Sequence, residues 1–291
     1  MSARPSPRVQ AFFDKATHTV TYLVSDPATG KAAIIDPVLD YDQAAGRTST
    51  ASADAVLAAA WNADLEIAWI LETHAHADHL TAAHYLRGQT KAPIVIGGDI
   101  VKVQKAFAPI FEAGDVRTDG SAFDRLLSDG GSIPLGELTI EVMHTPGHTP
   151  ACVSYVIGDA VFVGDTLFMP DFGTARTDFP GGDARTLYRS VRRILDLPPE
   201  TRVFVGHDYL PREGRSDFAW ETTVSAQRRA NIHVHDGVTE DEFVAMREAR
   251  DSTLGPPALI LPSLQVNIRA GDMPPAEPSG KRFLKVPINA I

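Results

Sequence analysis

The sequence predicts an α/β protein built as a layered sandwich, and three observations carry that expectation. Short apolar runs of strand length alternate with segments of helical spacing along most of the chain. Several of the apolar runs stop at a histidine or aspartate beside a glycine or proline. The densest such point is Thr73-His74-Ala75-His76-Ala77-Asp78-His79, which lies between the apolar run Glu66 to Leu71 and the helically spaced Leu80 to Arg87. A polar cluster where a buried strand gives way to a helix sits at the strand's carboxyl edge, where α/β folds place ligands.

The elements follow in order. Val9 to Phe13, Thr19 to Ser25 and Ala32 to Ile35 read as strands; the turn Asp26-Pro27-Ala28-Thr29-Gly30 joins the last two, and Asp36-Pro37 ends the third. Ser52 or Asp54 caps a helix through Ala55 to Trp61. After the strand Glu66 to Leu71, a helix over Leu80 to Arg87 ends at Gly88. Pro93 to Ile96 is a short strand and Val101 to Phe111 a helix. Ser132 to Leu135, Leu138 to His144, Ala151 to Ile157 and Ala160 to Val163 are strands with turns at Gly136-Glu137 and Gly158-Asp159. Asp183 to Leu195 is a helix stopped by Pro198-Pro199, and Arg202 to Val205 a strand. Phe218 to Arg229 and Glu240 to Arg250 are helices, the second capped by Thr239. The tail from Pro256 carries Leu259-Ile260-Leu261 and Leu264 to Val266, too apolar to be disordered, so it packs back on the body; Ala276 to Lys281 is a polar loop. A boundary falls near Pro211 to Ser216. It leaves a catalytic domain over 1–215 and an extension over 216–291 packed on the same domain.

Composition narrows the function. A chain of 291 residues can bury a sizeable core. Its net charge of −10 argues against nucleic acid as a partner. No apolar run approaches the roughly 20 residues of a membrane span, and the start lacks a signal-like apolar stretch. The single cysteine, Cys152, allows no disulfide within the chain and lies in an apolar strand pattern, where it reads as a small buried hydrophobe. A cytoplasmic location is expected.

The chemistry lies in the histidines. In extended chain alternate residues point the same way, so His74 and His76 converge on one point, and Asp78 and His79 reach the same region after the turn. Imidazole nitrogen and carboxylate oxygen are ligands for borderline divalent metals such as zinc and iron. One loop histidine is ordinarily a surface residue; four ligand-type residues at this spacing point to metal. Further stations follow other strands: His148 in Thr145-Pro146-Gly147-His148-Thr149, Asp165 in Gly164-Asp165-Thr166, and His207 in Gly206-His207-Asp208. Each is weak alone. Together they gather five of the ten histidines at strand ends. His18, His84, His144, His233 and His235 fall outside the pattern and read as structural or surface residues.

His74-x-His76-x-Asp78-His79, His148, Asp165 and His207, in this order, resemble the metallo-β-lactamase superfamily over roughly Val9 to Tyr209. The resemblance implies an αββα four-layer sandwich with the metal at one edge of two sheets, here with a C-terminal extension. Glyoxalase II and the persulfide dioxygenases are the branches that fit. The segment Phe172 to Gly182, with Arg176-Thr177-Asp178-Phe179, resembles persulfide dioxygenases, as do Met246 to Asp251 and Leu261 to Asn267. Many of those relatives carry a cysteine near the position of Arg176; this chain has none there.

The branch implies an iron(II)-dependent oxidation of glutathione persulfide with O2 to sulfite and glutathione. One Fe(2+) would be held by His74, His148 and Asp165, the catalytic set, with His76, Asp78, His79 and His207 around them. Two imidazoles and one carboxylate with open positions are the ligand set of non-heme iron oxygenases. The alternative is a dinuclear thioester hydrolase of glyoxalase II type acting on S-lactoylglutathione. It would hold two Zn(2+), with His74, His76 and His148 on one, Asp78, His79 and His207 on the other, and Asp165 between. Residue types alone do not choose. A metal-holding sensor or scaffold is the non-catalytic reading. Arg176 is a candidate for a glutathione carboxylate or a partner of Asp178 or Asp171; Arg250 and Arg269 are further substrate candidates. The resemblance also implies a homodimer and, upstream, a sulfurtransferase or sulfide-oxidising enzyme.

Overall fold

The computed structural model describes residues 6–211 and 213–289. In chain order its strands are β1 (Arg8–Phe13), β2 (Val20–Ser25), β3 (Lys31–Ile35), β4 (Val38–Asp42) and β5 (Arg47–Ser49). After helix α1 (Ala51–Asn62) come β6 (Glu66–Leu71), β7 (Leu80–Thr81), α2 (Ala83–Thr90), β8 (Ile94–Gly97), α3 (Ile100–Phe107) and β9 (Arg125–Leu127). The second half holds β10 (Ser132–Leu135), β11 (Leu138–His144), β12 (Val153–Ile157), β13 (Ala160–Phe162), α4 (Ala184–Leu195), β14 (Arg202–Phe204), β15 (Glu221–Thr223), α5 (Val224–Ala230), α6 (Glu240–Asp251) and α7 (Ile260–Asn267).

The strands form two six-stranded sheets, β1-β2-β3-β6-β8-β9 and β10-β11-β12-β13-β14-β15, and a small sheet β5-β4-β7. Period-two alternation makes the layers. In β3, Ala32 and Ile34 turn outward to pack with α1, α2, α3 and α7, while Ala33 and Ile35 turn inward to the second sheet. The second sheet repeats the pattern, with Phe162 and Phe204 inside and Val161 and Val203 outside, under Leu187, Val191 and Ile194 of α4 and Phe243 of α6. Helix, sheet, sheet, helix is the four-layer order expected. Two phenols tie the sheets: Tyr155 donates to the Glu72 carbonyl at 2.8 Å and Tyr22 to the Val205 carbonyl at 2.6 Å. Residues beyond 215 enter all of this, since β15 pairs with β14, α6 covers α4, and α7 lies in the first outer core.

Several boundaries differ from expectation, each for a local reason. The first helix starts at Ala51, so neither Ser52 nor Asp54 is its cap; Ser52 instead donates to Asp40 at 2.6 Å. The helix expected from Leu80 starts at Ala83, because the Thr81 N–H is taken by Asn267 at 2.9 Å and Leu80–Thr81 pair with β4. Gly88 lies inside that helix, which ends at Lys91 in the left-handed region. The third helix ends at Phe107, short of Phe111. Phe218 to Arg229 is divided: β15 pairs with β14, and only then does α5 begin, with Thr223 accepting from the Ala226 N–H at 3.1 Å. The Glu240 helix has the expected Thr239 cap, completed by Glu242.

Candidate metal centre

The central strand β6 delivers the first ligand group. It is flanked by β3 and β8, and its last residues hand the chain to the edge facing the second sheet. Asp36, just past β3, catches the chain there, accepting from the Thr73 N–H at 2.7 Å and the Thr73 hydroxyl at 2.8 Å. The Thr73 carbonyl accepts from Val153 N–H at 2.9 Å, joining the loop to β12. From the far side Asn267 of α7 donates to the His76 carbonyl at 2.7 Å and the His79 carbonyl at 2.8 Å. The histidine loop is thus held by main-chain bonds from three directions.

The other stations arrive on turns. Gly147 has φ +132°, and a Cβ there would meet the Leu187 backbone at 2.4 Å, so only glycine lets α4 approach behind His148. Gly164 has φ +49° and lies against Thr73, which sets Asp165 beside the histidine loop. His207 is placed by a bridge to Thr19.

All seven stations converge, and they fall into two groups. The ligand atoms of His74, His148 and Asp165 lie within 4.8 Å of one another; so do those of His76, Asp78, His79 and His207. Asp165 faces both, with one oxygen 3.8 Å from His148 Nε2 and the other 3.2 Å from His207 Nε2. The Asp78 carboxylate lies 3.4 Å from both His79 and His207. Nearly all of this is buried, Asp78 being partly open. Even so, His74 Nε2, His76 Nδ1, His79 Nε2, His207 Nε2 and an Asp165 oxygen have no hydrogen-bond partner among the described residues. Buried polar atoms without partners are costly, and five converging on one place fit a bound cation.

A second layer, not expected from the sequence, aims these ligands. His76 Nε2 lies 3.1 Å from Asp36 and 3.2 Å from Glu72, leaving Nδ1 for the metal side. Glu72 is itself held by the Thr81 hydroxyl. His148 Nδ1–H donates to the Arg176 carbonyl at 2.8 Å, which leaves Nε2 free to ligate. The Thr19 hydroxyl lies 3.3 Å from His79 Nδ1 and 3.4 Å from His207 Nδ1.

The field sorts the protonation states. Burial, then the imidazoles of His76 and His148, holds His74 well below the usual histidine range, so it is neutral and able to ligate. Burial opposes charging His76, but Asp36 and Glu72 outweigh it and raise that group well above its usual range. Burial likewise opposes ionising Asp78, and His207 and His79 outweigh it.

A cavity of about 440 Å³ opens onto His148, Asp165 and Asp78. Phe168, Phe172, Tyr209, Leu254 and Leu259 supply apolar wall; Arg176, Arg247 and Arg250 supply the cationic side. The three arginines expected near substrate differ in circumstance. Arg176 is bound by Asp178 at 2.5 Å through two nitrogens and by the Gly255 carbonyl, the ion-pair reading. Arg250 lines the cavity with no ion pair among the described residues; its guanidinium sits 6.0 Å over the Phe172 ring. Arg269 is not part of this site: it pairs with Asp115 at 2.7 Å in a different cleft. Of the five histidines set aside, His233 is buried and accepts from the Thr174 N–H at 3.0 Å.

Comparison with known proteins gives the same family. Residues 15–207 match the model of the metallo-beta-lactamase superfamily. The chain is 53% identical to a probable metallo-hydrolase of Burkholderia pseudomallei (strain 1710b), over 97% of this chain and 99% of that one. It is 50% identical to Glyoxylase B2 of Dictyostelium discoideum, over 98% of each chain. It is 33% identical to the human mitochondrial persulfide dioxygenase ETHE1, over 69% of this chain and 68% of that one. The crystal structure of ETHE1 from Myxococcus xanthus superposes with a TM-score of 0.72 at 33% identity, covering 91% of this chain and all of that one. No helix among the described residues is long and apolar enough to cross a membrane. The chain therefore belongs to the metallo-β-lactamase superfamily, and its likeness extends to the ETHE1 persulfide dioxygenases in both sequence and fold.

Proposed function

We propose that the protein is an iron(II)-dependent persulfide dioxygenase that converts glutathione persulfide, O2 and water to glutathione and sulfite. The observation that carries this reading is the separate grouping of His74, His148 and Asp165, two imidazoles and a carboxylate, with the cavity open to His148 and Asp165. Iron(II) held there would supply open coordination positions and oxygen chemistry at neutral pH.

The chain's own residues do the rest. Burial keeps His74 neutral, so it binds without first losing a proton. The Arg176 carbonyl fixes the His148 tautomer. Phe168, Phe172 and Tyr209 line the way in and exclude bulk water, and Tyr209 stacks on His207 at 5.5 Å between centroids. Arg250, which touches His233 Nε2 at 3.5 Å but has no ion pair among the described residues, is the guanidinium offered to a substrate carboxylate, while Arg176 is bound by Asp178. A persulfide is more acidic than a thiol and enters as the anion, toward the cationic side of the cavity.

A second reading, a dinuclear zinc thioester hydrolase, is favoured by the convergence of His76, Asp78, His79 and His207 and by the 50% identity to a protein named Glyoxylase B2. His148→Ala tests the first reading. It is expected to lose iron and oxygen uptake together, and retention of both would refute the ligand assignment. Two tightly held metals per chain with hydrolysis of S-lactoylglutathione, and no oxygen consumption, would establish the second reading instead.

A further inference from the structure

We propose that Arg247 and Asp251, an ion pair on α6, are positioning residues for His148. They act through the segment Thr174 to Thr177. The inference rests on His148 being a metal ligand and is independent of which reaction follows.

The geometry is a grip at two points. Asp251 takes Arg247 at 2.6 Å and 3.0 Å through one oxygen. Its other oxygen accepts from the Thr177 N–H at 2.8 Å and the Thr177 hydroxyl at 3.0 Å. Arg247 reaches the Thr174 carbonyl at 3.2 Å. The Arg176 carbonyl, which accepts from His148 Nδ1, lies between these points. Both side chains are buried, at 1% and 6% exposure, and the pair sits one helical turn apart on one face of α6.

A buried ion pair is weak evidence for stability by itself, since well-packed apolar residues often serve as well. Apolar residues, however, could not bind a carbonyl and an N–H three positions apart. That function remains when stability is set aside, and it fixes the one carbonyl that orients a ligand imidazole. Outer partners of ligand histidines typically change metal affinity 10- to 100-fold when lost.

The test uses the full-length protein stripped of metal and titrated with cobalt(II) against a chelator, reading affinity and the visible ligand-field spectrum. Asp251→Asn is expected to weaken cobalt binding by roughly 10- to 100-fold and to shift the spectrum toward that of His148→Ala. Leu138→Ala, which loosens the core between the sheets at the β10–β11 turn, in a cluster that α6 does not enter, is expected to leave both unchanged. If Asp251→Asn does not fold, Thr177→Val carries the test. It removes one of the two bonds that Thr177 makes to the carboxylate, and a smaller shift in the same direction is expected. Unchanged affinity and spectrum in a folded Asp251→Asn, or in Thr177→Val where that variant is needed, would overturn the proposal. Oxygen uptake is read separately on the wild-type protein. Its absence beside a normal cobalt titration would sink the dioxygenase reading and leave this inference standing.

Discussion

Asn267 offers a sharp test of how the centre is built. It is 2% exposed and lies on α7, some 190 residues along the chain from the histidine loop it holds. Its amide donates to the His76 and His79 carbonyls at 2.7 Å and 2.8 Å, and its carbonyl accepts from the Thr81 N–H at 2.9 Å. Asn267→Leu is close in size and removes all three bonds, leaving three buried main-chain groups without partners. At about 1–1.5 kcal/mol for each bond the loss is about 3–4.5 kcal/mol, and more where water cannot reach the freed groups. Asn267→Asp separates the parts: it keeps the acceptor for Thr81 but sets a carboxylate against two carbonyls, so it is expected to cost at least as much. Urea unfolding of the metal-free protein measures the stability, and zinc competition against a chelator measures the site. Both variants should lose stability and bind zinc more weakly, because His76 and His79 ride on the freed loop. A loss below about 1 kcal/mol with unchanged zinc affinity would refute the claim that α7 holds the ligand loop.

Three further expectations concern single side chains. Arg250→Ala should raise KM for glutathione persulfide by about tenfold with little change in kcat, as loss of a partly exposed charge-assisted contact does, while Arg269→Ala should change neither. Cys152 is buried and its thiol is pushed up to about 12, so the folded protein should resist a thiol reagent at pH 8 that labels the unfolded chain at once. His233 is held down to about 4 by burial and then by Arg247 and Arg250. The unfolded chain then binds a proton between about pH 6.5 and 4 that the folded one refuses, so stability falls as pH falls through that window, by up to about 3 kcal/mol. Urea midpoints at pH 7 and pH 5 should converge in His233→Gln relative to wild type; equal pH slopes in the two proteins would contradict this.

The candidate metal ligands are legible because each combines a ligand-type side chain with a strand end, and strand ends show in an apolar run that stops. Asp36 carries the same mark, an aspartate straight after the buried strand Ala32 to Ile35, and could have been read in the same way. Glu72, one residue past β6, carries it too. Thr19 and Asn267 carry no such mark. Their roles come from contacts 60 and 188 residues apart, which local pattern does not encode. The helix α7 was hidden by Pro262, which sits in its first turn where a proline costs little. The strands β5, β7 and β9 are hard to read from the sequence for other reasons. β5 and β7 are only three and two residues long, β5 is wholly exposed, and β9 is an edge strand with two exposed residues. The arginine candidates for substrate contact are the least legible. Arg176, Arg250 and Arg269 look alike in sequence, and only the folded arrangement pairs the first with Asp178 and the last with Asp115.

The account's central claim is the oxidation of a persulfide at His74, His148 and Asp165. Its most direct test is an oxygen electrode trace of iron(II)-loaded protein given freshly made glutathione persulfide, with sulfite assayed afterwards. Oxygen uptake matched by sulfite is the predicted result. No uptake from protein shown to contain iron would contradict the claim and turn attention to thioester hydrolysis with zinc.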